Sequence, residues 1–311
     1  MEHHPYHRFF QGDIKDRTLV RDLFRQFHPN TVINFAAETH VDRSIYNPEQ
    51  FVQTNSLGTF YLLEEALSYW KLLNAEEQKR FRFLQISTDE VYGSLSPNDP
   101  PSKEGSPYAP NSPYAASKAA ADHMVRAYQN TFGLPTLVTH SANNFGPYQF
   151  PEKLIPLVIV NALQGKALPL YGDGLNIRNW IYVADHCEAL QLILEKGVPG
   201  ETYNISDSAE RPNRDVVQAV CSILDELLPD SSHVPHSKLI KYVKDRPGHD
   251  RRYSLDCTKM GSLGWKPKEN FLENLRKTVS WYLKNMAWVE NVISGEYRDW
   301  IRMQYVERET R

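Results

Sequence analysis

Two short apolar runs rich in β-branched and aromatic residues, TVINFAA at 31–37 and FRFLQIS at 81–87, enclose a stretch from about Pro48 to Lys71. Within it Phe51, Leu57, Phe60, Leu63, Leu67 and Trp70 fall near helical spacing. A strand, a long helix and a second strand in that order imply a parallel sheet covered on both faces. Ligands of such sheets bind beyond the carboxyl ends of the strands. The second run ends in Ser87-Thr88-Asp89-Glu90, followed by Val-Tyr-Gly. Two adjacent carboxylates at a strand end are either a solvated turn or an acid and a base held over a ligand. In extended backbone, neighbouring side chains point to opposite faces, so both reach one ligand only if the chain turns; Gly93 permits the turn.

A polar, proline-rich loop, SPNDPPSKEGSPYAPN, leads to a helix announced by Ser112 as N-cap and Pro113 at its first position. The helix runs through YAASKAAADHMVRAYQNTF and stops at Gly133. Tyr114 and Lys118 lie four apart and share one face. A tyrosine of pKa ~10 is a poor base at neutral pH, and a nearby ammonium favours its phenolate. Y-x-x-x-K alone is common in helices; its place after a strand ending in S-T-D-E makes it a proton-transfer couple. A further strand, PTLVTHSA, leads into NNFGPYQFPEKLIPL. From about Asn143 the texture becomes richer in Pro, Gly and basic loop clusters, which reads as a substrate-side domain over 143–179 and 207–311. The remaining segments, 1–142 and 180–206, form the domain that carries the sheet, with returns to it near NWIYVADHCEALQLIL and ETYNIS.

With 35 basic against 38 acidic residues the net charge of −3 offers no field for nucleic acid or an anionic membrane, so an anionic ligand needs a local arginine cluster. The three cysteines, Cys187, Cys221 and Cys257, stand far apart and read as reduced thiols. The longest apolar run, around Leu154 to Leu163, falls short of the ~20 residues of a membrane span. The opening MEHHPYHRFF lacks the apolar core of a secretory signal, and His3, His4 and His7 read as a polar terminus rather than a metal site. The expectation is a cytoplasmic protein without metal.

AAETHVDRSI, STDEVYG, SPYAASKAAADH, NNFGPYQFPEKLIPL, YGDGLNIRNWIYVADH and RPGHDRRYSLD together resemble the dTDP-glucose 4,6-dehydratases of the extended short-chain dehydrogenase/reductase superfamily. The resemblance runs from about Gly12 to the final helices. It implies an α/β fold: a Rossmann-like doubly wound parallel sheet, its N-terminal strand-helix-strand absent, with a smaller α/β substrate domain. It implies NAD as cofactor and dTDP-glucose as substrate. Tyr114 would take the proton of the sugar 4-hydroxyl as hydride passes from carbon 4 to NAD, with Lys118 lowering its pKa and holding the nicotinamide ribose. Thr88 would hydrogen-bond the same hydroxyl. Glu90 would remove the carbon 5 proton and Asp89 would protonate the departing 6-hydroxyl, before hydride returns to carbon 6. One acid and one base suffice if their environments separate their pKa values.

By the same resemblance Asp13, Ile14, Phe35, Ala36, Ala37, Thr39, Thr54 and Asn144 would contact NAD. Thr39, His40, Asn143, Lys153 and Leu154 would hold the nucleotide sugar, and Pro169 to Tyr171 would wall the base. Arg178 and Arg246 would take the diphosphate, since a guanidinium binds phosphate oxygens bidentately, with Asn213, His249 and Tyr253 completing that pocket. His40, Asp42 and Arg43 can equally be read as a loop salt-bridge cluster. A homodimer is implied, packing the helix from about Pro48 against the one from Ser112.

The chain departs from the superfamily at its start. It contains no G-x-x-G-x-x-G turn for the pyrophosphate, and YHRFFQGDIKD resembles the third strand of the fold. About fifty upstream residues are expected in the natural protein. Three rivals stay open: a nucleotide-sugar epimerase, which needs Tyr114 and Lys118 but no carboxylate pair; a GDP-mannose 4,6-dehydratase; and an inactive fragment or non-catalytic subunit.

Overall fold

The computed structural model describes residues 4–293, so His3 and the end of the expected substrate domain, 294–311, lie outside the described residues. The chain divides into two compact units. One comprises Met1–Val91, Ser112–His140 and Lys196–Thr202; the other comprises Tyr92–Asn111, Ser141–Glu195 and Tyr203–Arg311.

In the first unit, β1 (Thr31–Asn34) and β2 (Arg82–Thr88) pair in parallel, with Thr31 opposite Arg82 and Asn34 opposite Gln85. β3 (Thr136–Ser141) lies beside β2, and the last strand in the sheet order, Thr202–Ile205, belongs to this unit only at Thr202. The expected long helix spans Pro48–Trp70 without a break but changes pitch, with α-helical ends around a π-helical turn at Val52–Gly58. Asn55 in that turn accepts from the Glu38 N–H at 2.8 Å and donates to Ser117 Oγ at 2.9 Å. Wide turns of this kind recur at functional sites because they re-aim side chains. Leu63, Ala66, Phe81, Phe83, Val125 and Leu134 are buried together beneath this layer. The Pro113–Phe132 helix begins as its sequence predicts: Ser112 Oγ accepts from the Ala115 N–H at 3.1 Å, and Gly133 ends it in left-handed backbone at φ +73°.

Three expectations need correction. Residues 8–13 form no strand, Phe9 and Phe10 are exposed, and β1 is the edge of the sheet. A strand needs a partner's backbone groups, and among the described residues this segment has no strand beside it. The T-H-V-D-R-S segment is not a loop: Val41–Tyr46 is a short helix, capped by His40 Nδ1 accepting from the Arg43 N–H at 3.4 Å. Of the two segments expected to return to the sheet, only Thr202–Ile205 does. Trp180–Tyr182 pairs instead with Asn143–Phe145, where the Trp180 and Phe145 rings meet edge to face at 6.1 Å.

The second unit is built from short paired strands and longer helices. Leu168–Tyr171 pairs in parallel with Ile240–Val243, and Ile177–Arg178 runs antiparallel to Arg211–Pro212. Ile155, Ile159, Val220, Leu224, Leu275 and Val279 from three helices bury one another in its core. Among the described residues no helix is long and apolar enough to cross a membrane.

Candidate active site

At the carboxyl end of β2 the backbone turns at once. Asp89–Tyr92 forms a 3₁₀ turn in place of a continued strand. Successive side chains in such a turn are separated by about 120°, not the 180° of a strand, so the two carboxylates are no longer opposed. Asp89 is buried and Glu90 half-buried. Thr88 ties the turn together: its hydroxyl donates to Asp89 Oδ1 at 3.3 Å and accepts from the Glu90 N–H at 3.3 Å. The turn is then closed by Gly93, at φ +78°, where an added Cβ would lie 2.2 Å from the Ala109 carbonyl oxygen. Gly93→Ala is expected to cost about 2 kcal/mol or more through left-handed strain and this clash, read as a lower urea midpoint.

The Pro113–Phe132 helix presents Tyr114 and Lys118 to this turn, both buried. Thr88 acts on the Tyr114 phenol in the direction of the ionised form, and the Phe51 ring meets the phenol ring edge-on at 6.3 Å. Lys118 Nζ donates to the Ile86 carbonyl at 2.6 Å. The phenol is pushed up, not down: burial is the larger cause, and Glu90 and then Asp89 add to it, with Thr88 opposing. Burial pushes the Lys118 ammonium down, with Asp122 opposing. Each charge alone is disfavoured in this interior. A phenolate and an ammonium one helical turn apart neutralise each other, so the phenol ionises more easily while the ammonium keeps its proton. The expected effect of Lys118 on Tyr114 therefore needs the ammonium to stay protonated.

Around β1, Phe35 is exposed, while Ala36 and Ala37 are half-buried, the Ala36 N–H donating to Asn34 Oδ1 at 3.2 Å. Thr39 is exposed, His40 is engaged as a cap and Thr54 lies half-buried in the π-helical turn. Asp13 is exposed, accepting from the Lys15 N–H at 2.8 Å, and Ile14 rests against Gly58, where an added Cβ would come within 2.7 Å of its Cδ1.

The remaining candidates lie in the second unit. Asn143 and Asn144 sit on the strand paired with Trp180–Tyr182; Lys153 and Leu154 start the Leu154–Leu163 helix. Pro169 and Tyr171 stand opposite Lys241 and Val243, and Asn213 opens a helix with its N–H on the Asn176 carbonyl at 2.9 Å. Arg178 is buried, donates to the Asp250 carbonyl at 2.9 Å and lies 4.1 Å from the centre of the Tyr253 ring. His249 meets Asp245 at 2.6 Å and packs edge-on against Tyr171. Burial first, then the guanidinium groups of Arg246 and Arg178, holds His249 down at about 4, so it is neutral near pH 7. Two guanidinium groups thus converge on one neutral imidazole, an arrangement suited to an anion. Sequence reasoning missed Asp250, which fixes this group: its carboxylate accepts from Asn111 Nδ2 at 2.7 Å and the Tyr253 hydroxyl at 2.5 Å. The G-H-D-R-R-Y run contained it, and only its long-range partners reveal the role.

A family model described as GDP-mannose 4,6 dehydratase matches residues 1–278. A dTDP-glucose 4,6-dehydratase of Xanthomonas campestris pv. campestris is 52% identical over 299 residues, covering 96% of this chain and 85% of the relative. The dTDP-glucose 4,6-dehydratase 1 of Escherichia coli K12 is 52% identical over 310 residues, covering 97% and 85%. Among solved structures, the dTDP-glucose 4,6-dehydratase DesIV of Streptomyces venezuelae, with NAD bound, superimposes with a TM-score of 0.83 at 42% identity. That match covers 93% of this chain and 83% of the other.

Proposed function

The chain belongs to the dTDP-glucose 4,6-dehydratases of the extended short-chain dehydrogenase/reductase superfamily, and from that membership we propose that Thr88, Asp89, Glu90, Tyr114 and Lys118 carry its reaction. That reaction is the NAD-dependent dehydration of dTDP-glucose to dTDP-4-keto-6-deoxyglucose. The matching family model carries the name of a GDP-mannose enzyme, but relatives about half identical across nearly the whole chain act on the dTDP sugar, and they decide the substrate.

The observation that carries the residue roles is the 3₁₀ turn that sets both carboxylates after Thr88, with Thr88, Glu90 and Asp89 all acting on the buried Tyr114 phenol. The residues present suit a dinucleotide: a buried ammonium donor at Lys118, an exposed aromatic face at Phe35 beyond β1, and an exposed carboxylate at Asp13. Ile14, Ala36, Ala37, Thr39, Thr54 and Asn144 complete that proposed set. When bound, NAD supplies a hydride acceptor for carbon 4 and a donor for carbon 6. Tyr114 takes the 4-hydroxyl proton, with Thr88 hydrogen-bonding the same oxygen and Lys118 balancing the phenolate charge. The 4-keto group acidifies the proton on carbon 5, which Glu90 removes. Asp89 gives a proton to the leaving 6-hydroxyl. Burial of Asp89 beside a more open Glu90 provides unequal environments, which two carboxylates need to act as acid and base.

The first unit is the NAD-binding side of this proposal and the second holds the nucleotide sugar, through Asn143, Lys153, Leu154, Pro169, Tyr171, Asn213 and Tyr253, with Arg178, Arg246 and His249 at the diphosphate. His40 is proposed as a further contact of the sugar. Arg178→Lys keeps the charge but loses the planar fork, and about 2 kcal/mol of binding should go with it. A rise in KM of roughly thirty-fold with a smaller change in kcat is expected; an unchanged KM would remove Arg178 from the diphosphate site. A homodimer through the Pro48–Trp70 and Pro113–Phe132 helices, in the cytoplasm, is also proposed and is testable by sedimentation. The decisive experiment supplies dTDP-glucose and NAD and follows the 4-keto-6-deoxy product by NMR. A carbon 4 epimer in its place would assign an epimerase.

A further inference from the structure

We propose that Asp122 is a positioning residue for the Tyr114 and Lys118 couple, its carboxylate serving as the counter-charge that keeps the ammonium protonated while the phenol gives up its proton. The inference rests on the roles proposed above for Tyr114 and Lys118. The three residues stand at successive turns of the Pro113–Phe132 helix, so phenol, ammonium and carboxylate line one face. All three are buried, and Asp122 is only 3% exposed. On a solvated face a carboxylate four residues from a lysine is a weak surface pair; in the interior it persists only when hydrogen-bonded.

Two strands supply bonds to one of its oxygens. Ser87 Oγ from β2 donates to Asp122 Oδ2 at 2.6 Å, and His140 Nε2 from β3 lies 3.2 Å from the same oxygen. An ionised carboxylate only accepts, so His140 presents its Nε2–H there. Lys118 meets the neutral Ile86 carbonyl from β2, while Thr88, Asp89 and Glu90 act on Tyr114 from the strand-end turn. Asp122 opposes the burial that pushes Lys118 down, and it is the smallest of the charges acting on Tyr114. Asp122 lies one helical turn from Lys118 and two from Tyr114, so its effect falls chiefly on the ammonium.

The couple loses its first proton either from the phenol, leaving phenolate and ammonium, or from the ammonium, leaving phenol and amine. Only the former can remove a proton from the sugar. A carboxylate beside Lys118 favours it. Asp122→Asn makes both groups release protons more easily and moves the loss onto Lys118. The ascending limb of the rate against pH is expected to move to lower pH, while its plateau falls on the order of ten-fold. A structural role alone would lower the unfolding midpoint and leave the limb in place.

The direct test labels the full chain with 13C-lysine and assigns the Lys118 resonance by its loss in Lys118→Met. Its titration midpoint should fall by about one pH unit in Asp122→Asn and return in Asp122→Glu. The same fall is expected in Asp122→Ser, so the measurement does not hang on one replacement folding. An unmoved midpoint in either folded neutral variant overturns the proposal. Absence of product from the unaltered protein would overturn the dehydratase roles instead and leave the midpoint result standing.

Discussion

Glu90→Gln is expected to oxidise carbon 4 of dTDP-glucose and then stop. The amide keeps the size of the side chain and removes the base, so loss of the carbon 5 proton should slow by about 10³-fold, in the range a positioned general base contributes. Single-turnover absorbance of reduced nicotinamide follows the first step. Deuterium incorporation at carbon 5 in D₂O follows the second. The variant should retain the former and lose the latter. A second consequence follows from the electrostatics: after burial, Glu90 is the strongest influence holding the Tyr114 phenol up. Removing that charge lets the phenol ionise more easily, so the ascending limb of carbon 4 oxidation should move to lower pH. Equal loss of both steps would assign Glu90 to binding or to the fold of the turn, not to the carbon 5 proton.

Tyr114→Phe should abolish both steps together, because no elimination can begin before carbon 4 is oxidised. Its expected loss in kcat/KM is about 10³-fold or more, equivalent to roughly 4 kcal/mol of barrier. The ring keeps its edge contact with Phe51, so unfolding should change little. The two variants separate the roles. Glu90→Gln accumulates an oxidised sugar, and Tyr114→Phe accumulates nothing. Retained carbon 4 oxidation in Tyr114→Phe would shift the first base elsewhere.

The strand ends, the capped helix at Ser112 and the position of Y-x-x-x-K were legible because each rests on short-range rules: side-chain periodicity, a capping hydroxyl and a proline at the first helical turn. The π-helical turn at Val52–Gly58 was not, since its driving contacts, from Asn55 to Glu38 and Ser117, join residues 17 and 62 positions apart. His40, read as a ligand or as part of a salt-bridge loop, also caps a helix, a role set by the backbone amide of Arg43.

The sequence alone supplied the candidates: Thr88, Asp89, Glu90, Tyr114 and Lys118 stand out through the motifs of the family resemblance, and local backbone rules place them on a strand end and a helix face. Tertiary structure decided how those groups are charged. Burial raises the Tyr114 phenol and lowers the Lys118 ammonium, and Ser87 and His140, 35 and 18 residues from Asp122, hold the carboxylate that opposes the second shift. Desolvation depends on what the rest of the chain packs around a group, and no spacing within a motif can express it.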